Sequence, residues 1–160
     1  MIRSRILALL GWVALCEAAG VIGAFFTASA IPGWYAALAK PAFAPPSWLF
    51  GPVWTTLYLL MGVAAWLVWR NKRTAPLLRR RALRLFFIQL VLNAVWSPVF
   101  FGLHSLGGAL VLIVLLWFAV VATIAAFARV SRTAAWLLVP YLAWVTFATY
   151  LAYAFWTLNS

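Results

Sequence analysis

Residues 106–127 read LGGALVLIVLLWFAVVATIAAF, with no charged side chain and no proline. A helix that crosses the hydrocarbon core of a bilayer needs about 20 mostly apolar residues. The stretch reads as a transmembrane helix, and four more runs of the same kind flank it: 6–26, 49–69, 85–103 and 135–156. The five runs use up most of the 160 residues, so no separate soluble domain fits. Overall, 68% of residues are hydrophobic and 8% are charged, against roughly 25% charged in soluble domains. The expected fold class is an all-α membrane protein, one domain over 1–160, built as a bundle of five transmembrane helices with a long structured first loop.

The first run follows Arg3 and Arg5, as the core of a signal peptide would. It continues well past the usual length of such a core, and Leu15 before Cys16 is too bulky for a lipoprotein-type cleavage site, so an uncleaved helix is expected. Cys16 is the only cysteine, which leaves no intrachain disulfide and no cysteine metal cluster. It reads as a small buried apolar residue.

The net charge of +11 is distributed by topology. Arg3 and Arg5 precede run one. Arg70, Lys72, Arg73, Arg79, Arg80, Arg81 and Arg84 fall between runs two and three, and Arg129 and Arg132 between runs four and five. With five spans these places share one side of the membrane and hold eleven of the twelve Lys and Arg. That is the positive-inside pattern, which puts the N-terminus and the basic loops in the cytoplasm and the first loop and C-terminus outward. Topology accounts for the charge and no nucleic acid is implied, although the 70–84 segment also suits anionic lipid head groups.

Within the spans, small residues on run one (Ala14, Ala18, Ala19, Gly20, Gly23, Ala24) recur at four-residue spacing, which serves either packing within the bundle or dimerisation. Pro98 should loosen the end of run three, Gly107-Gly108 should turn into run four, and Pro140 should kink run five.

Candidate ligand contacts lie on three helical faces. Gln89, Asn93 and Ser97 are spaced by four and stack on one face, flanked by Trp96. Trp54 and Tyr58 share a face of run two, and Trp144, Ala148 and Ala152 share one of run five. Polar groups in hydrocarbon face the bundle interior, where they bond between helices or line a site. Trp12, Trp34, Trp48, Trp69, Trp136 and Trp156 sit near span ends and suit interfacial belts, whereas Trp54, Trp96, Trp117 and Trp144 do not. Flat indoles with a few amides and hydroxyls suit a flat, mostly apolar ligand. Glu17, the one acidic residue, lies mid-span and is open to a structural or a functional reading. With one histidine, His104, and no aspartate, there is no histidine metal site, no Ser–His–Asp triad and no basis for conventional acid–base catalysis. No phosphate-binding loop is present.

The first loop, WYAALAKPAFAPPSWLFGPVW at 34–54, is too rich in proline for one helix and too apolar for a solvated loop. It reads as a lid at the outward face. Lys40, the one cation on that side, would anchor it to head groups or meet an acidic ligand group.

The chain resembles the TspO/MBR family, the tryptophan-rich sensory or translocator proteins, once called peripheral-type benzodiazepine receptors. The likeness runs through Trp34-Tyr35-x-x-Leu38-x-Lys40-Pro41, Pro45-Pro46-x-Trp48-x-Phe50-Gly51-Pro52-Val53-Trp54-x-x-Leu57-Tyr58 and Met61-Gly62. It continues in Gln89-Leu90-x-Leu92-Asn93-x-x-Trp96-Ser97-Pro98-x-Phe100-Phe101-Gly102, Pro140-Tyr141-Leu142-x-Trp144-x-x-Phe147-Ala148-Thr149 and Leu158-Asn159. The resemblance implies a five-helix bundle, a homodimer, and a pocket under the first loop. Its implied ligands are porphyrins such as protoporphyrin IX, sterols or other lipids in some members, and synthetic benzodiazepine- and isoquinoline-type compounds. No cofactor is required. Carried over by position, the implied contacts are Trp34, Tyr35 and Pro46 from the loop, Trp54 and Tyr58 from run two, Asn93, Trp96 and Ser97 from run three, and Trp144 and Ala148 from run five. The C-terminal sterol pattern is incomplete: Leu151 and Tyr153 are present, but no basic residue follows within 154–160.

Three functions are therefore expected, in order. The first is a membrane-embedded tetrapyrrole-binding protein acting as sensor, scavenger or transporter in porphyrin or stress regulation. The second is light-dependent porphyrin degradation, for which the resemblance implies Trp54 and Trp144 as the reacting residues. The third is a scaffold in a larger membrane complex.

Overall fold

A computed structural model describes residues 1–160. The helices are α1 (Ile2–Ala30), α2 (Phe50–Arg70), α3 (Pro76–Ser97), α4 (Leu106–Ala128), α5 (Arg132–Leu137) and α6 (Val139–Asn159). Five helical segments are long and apolar enough to cross a membrane, with α5 and α6 forming the last of them. The protein is an all-α, multi-pass integral membrane protein.

Several boundaries move from those read in the sequence. The first span extends beyond 6–26 at both ends and runs on from Ala30 into a π-helical turn, Ile31–Tyr35. Pro32 does not stop it, because it falls in the first positions of that turn, where a missing N–H costs little. The third span begins at Pro76 rather than Leu85. Its added turns hold Arg79, Arg80, Arg81 and Arg84, which favour helix and whose long side chains can reach the membrane surface. It ends in a second π-helical turn, Pro98–Gly102, where Pro98 lacks the N–H a continuing α-helix would use. The turn into α4 falls at Leu103–Ser105 and not at Gly107-Gly108. His104 there has φ 54°, and the Ser105 hydroxyl caps the helix by accepting from the Gly108 N–H at 3.2 Å. The last span, expected unbroken over 135–156, is interrupted at Leu138, two residues before Pro140.

Close packing explains the small residues of α1. A Cβ on Gly62 of α2 would lie 2.6 Å from the Val13 Cα, and one on Gly20 would lie 2.7 Å from the Tyr58 ring. Only glycine permits that approach of α1 and α2. Cys16 and Ala19 are buried in the same contact, whereas Ala14 and Ala18 face outward. Around this pair, α3 packs on α1 and α4, and α4 packs on α6. At the basic end α2 packs on α5; toward the other end α2 and α6 separate, and a cavity fills the gap.

The first loop is ordered by three devices. A 3-10 turn, Ser47–Leu49, leads into α2. Asn159 at the end of α6 clasps the loop: its Oδ1 accepts from the Ala39 N–H at 2.9 Å, and its Nδ2 donates to the Ala39 carbonyl at 3.0 Å. The Lys40 ammonium donates to the Ala36 carbonyl at 3.2 Å and lies 5.0 Å from the Tyr35 ring centroid. Lys40 thus closes the segment onto itself.

Candidate ligand cavity

The cavity between α1, α2, α3 and α6 has a volume of about 390 Å³. Small-molecule sites span about 300–1,000 Å³ and are mostly apolar with a few placed polar groups. Aromatic rings supply the walls here. Trp54 stacks on Tyr58 at 5.5 Å and meets Tyr141 edge-on at 6.2 Å. Trp96 stacks on Phe100 at 5.0 Å, and Trp144 lies between Phe50 and Phe147 at 6.4 and 5.5 Å. Val21, Ala24 and Ala28 of α1 and Gly51 and Thr55 of α2 line the cavity and are exposed, so its mouth opens between the C-terminal half of α1 and the N-terminal half of α2.

Eight of the ten residues expected at the site line this space: Tyr35, Trp54, Tyr58, Asn93, Trp96, Ser97, Trp144 and Ala148. Trp34 and Pro46 do not. Trp34 lies on the other side of the π-helical turn, stacked on His104 at 4.3 Å with 12° between the rings, and packed on Phe100 at 5.5 Å. Pro46 is exposed and precedes the 3-10 turn, its carbonyl accepting from the Leu49 N–H at 3.0 Å. Of the four tryptophans that belts did not explain, Trp117 is the one outside the cavity; its N–H donates to Thr146 Oγ1 at 2.8 Å and ties α4 to α6.

The polar floor is a directed chain of hydrogen bonds. Tyr58 Oη donates to Asn93 Oδ1 at 2.5 Å, Asn93 Nδ2 donates to Tyr141 Oη at 2.7 Å, and Tyr141 Oη donates to Gln89 Oε1 at 2.8 Å. These four side chains are buried, and the chain links α2, α3 and α6. The Tyr58 hydroxyl spends its proton inward, which leaves its lone pairs to accept from a ligand. The Trp96 N–H is already used by the Ala109 carbonyl at 3.0 Å. The Tyr35 hydroxyl is buried without a protein partner, and Glu17 also lines the space. The site can therefore stack a flat apolar body and address a small number of polar groups on it.

Some lining residues escaped the sequence reading. Phe147, Leu151 and Phe155 continue the α6 wall at four-residue spacing, a signal present in the sequence. Phe100 and Phe101 enter from the π-helical turn, where α-helical spacing fails. No group of three or more potential metal ligands is present.

The chain matches the model of the TspO/MBR family over residues 12–157. It is 45% identical to the tryptophan-rich protein TspO of Chlorobaculum tepidum, covering 98% of this chain and 99% of that protein. It is 46% identical to the translocator protein of Homo sapiens, covering 79% and 75%. It is 40% identical to the protein CrtK of Rhodobacter capsulatus, covering 90% and 88%. A match of that extent, on a five-span fold with an aromatic cavity, means that the chain belongs to the TspO/MBR family.

Proposed function

We propose that this protein binds tetrapyrroles of the protoporphyrin IX type within the membrane and acts as a sensor, scavenger or transporter in porphyrin or stress regulation. The observation that carries the reading is the set of indoles, Trp54, Trp96 and Trp144, around one cavity with an oriented polar floor. Aromatic walls favour a flat π-system by stacking, and the opening between α1 and α2 offers an amphipathic macrocycle a path from the bilayer. Sterols and benzodiazepine- or isoquinoline-type compounds are further candidate ligands on family likeness, the sterol reading weakened by the missing basic residue after Tyr153. The same likeness supports a homodimer, and the eleven cations at one end support a cytoplasmic N-terminus. The direct experiment is purification from native membranes with identification of the bound pigment. Co-purification of a stoichiometric porphyrin supports the reading; a preparation that carries none and takes up none contradicts it.

A second reading is light-dependent porphyrin degradation at Trp54 and Trp144. It is favoured by both indoles lining the same cavity, Trp54 in contact with two tyrosines. It needs no acid–base pair. A bilin-like product formed in light, and lost in a Trp54→Phe, Trp144→Phe variant, would support it; bleaching at an unchanged rate in that variant would leave binding alone.

A further inference from the structure

At the far end of the bundle from the aromatic cavity, an open hollow of about 920 Å³ lies between the start of α1, the end of α2, the α2–α3 turn and the start of α5. Five cations line it: Arg5, Arg70, Lys72, Arg73 and Arg79. No acidic side chain lines it, and the one carboxylate of the sequence, Glu17, lines the other cavity. Like charges gathered in one hollow repel, so an arrangement without an internal counter-ion implies an external one.

Two of the cations are held in place. Arg79 Nη1 donates to the Asn71 carbonyl at 3.1 Å, and the Arg70 guanidinium lies 4.4 Å from the Trp66 ring centroid. The turn that carries Lys72 and Arg73 is pinned by Asn71, whose Nδ2 donates to the Val130 carbonyl at 2.7 Å and whose Oδ1 accepts from the Arg73 N–H at 3.2 Å. The hollow is thus braced between two turns. Its lining also includes Leu67 and Trp69 from the last turns of α2. Trp69 is partly exposed, as an indole at a membrane interface is. Cations beside an apolar and indole wall match a phosphate group that continues into hydrocarbon better than they match a free ion.

We propose that this hollow binds the phosphate of an anionic phospholipid, with Lys72, Arg73, Arg70 and Arg79 around the head group and the acyl chains leaving along α2. Guanidinium–phosphate bonds are charge-assisted and directional. The proposal stands independently of what the aromatic cavity binds.

The test uses the full protein in detergent, with bound lipid counted by native mass spectrometry during titration with phosphatidylglycerol, phosphatidylcholine or inorganic phosphate. Phosphatidylglycerol should be retained over phosphatidylcholine by about tenfold or more, as expected for a few charge-assisted contacts. Lys72→Gln with Arg73→Gln should abolish that preference. Arg81→Gln with Arg84→Gln removes the same charge from exposed positions on α3 outside the hollow and should leave the preference within about twofold. If the first pair does not give a folded protein, Arg5→Gln on α1 probes the hollow from its other wall. Equal retention of the two lipids, or an equal effect of both pairs, would overturn the site in favour of diffuse attraction. Displacement of phosphatidylglycerol by millimolar inorganic phosphate would overturn the lipid in favour of a free anion.

Discussion

Tyr58 donates its phenolic proton to the Asn93 side-chain oxygen across 2.5 Å, and this bond joins α2 to α3 beneath the cavity. Asn93 is therefore committed on both sides, since its amide also donates to Tyr141. It serves first as a brace that holds the tyrosines in register and only second as a group open to a ligand. An Asn93→Leu variant leaves the buried Tyr58 hydroxyl without a partner, while Tyr141 keeps its bond to Gln89, and should lose about 1–3 kcal/mol of stability. Adding Tyr58→Phe removes the orphaned hydroxyl and leaves the Tyr141–Gln89 bond in place, so it should recover much of that loss. Thermal unfolding in detergent measures both, and a double variant less stable than the single would contradict the brace.

Glycine positions give a steric test of the α1–α2 contact. Gly62→Ala sets a methyl 2.6 Å from the Val13 Cα, a backbone atom that no rotamer change can move aside. Overpacking of that kind should reduce stability by about 1–3 kcal/mol. Gly11→Ala, on the exposed side of α1 with nothing within 4 Å of the new methyl, should be neutral or slightly stabilising. The pair of melting curves separates a close helix contact from a general intolerance of alanine.

Asn159 makes the clearest prediction about the lid. Asn159→Ala removes both hydrogen bonds to Ala39, and the loop is then held chiefly by its prolines and aromatics. Hydrogen exchange at residues 36–46 should accelerate about tenfold or more, in line with the loss of two bonds of about 1 kcal/mol each. Ligand release should quicken with it. Unchanged exchange would mean that the clasp does not order the loop.

The spans were legible because 20-residue apolar runs have no other stable home. Their ends were less so. Pro32 looks like a breaker, yet it falls in the first positions of a π-helical turn that tolerates it, whereas Pro98 does loosen the end of the third span. The arginines of 79–84 look like loop and are helix. The cavity walls on α2, α3 and α6 followed from four-residue spacing, which is why Trp54 with Tyr58, Asn93 with Ser97, and Trp144 with Ala148 were found together. Trp34 and Tyr35 could not be told apart by that logic, because the π-helical turn rotates adjacent side chains away from α-helical positions. The pairing of Asn159 with Ala39 spans 120 residues and leaves no local trace in the sequence.

Trp34 therefore offers a discriminating control. It packs on His104 and Phe100 outside the cavity, while its neighbour Tyr35 lines it. Trp34→Phe should change porphyrin affinity less than about twofold, and Trp144→Phe should weaken it by about tenfold, within the range for losing one aromatic stacking contact. The opposite ranking would move the ligand to the outer face of the loop.

The central claim is that the space between Trp54, Trp96 and Trp144 receives the ligand, and filling that space tests it most directly. Ala148 is half-buried and lines the cavity. Ala148→Phe introduces a ring where the macrocycle would lie. Protoporphyrin IX should quench the tryptophan fluorescence of the wild-type protein saturably, and the folded Ala148→Phe variant should lose that saturable phase. Saturable quenching with unchanged midpoint in the variant would contradict the assignment of the cavity as the binding site.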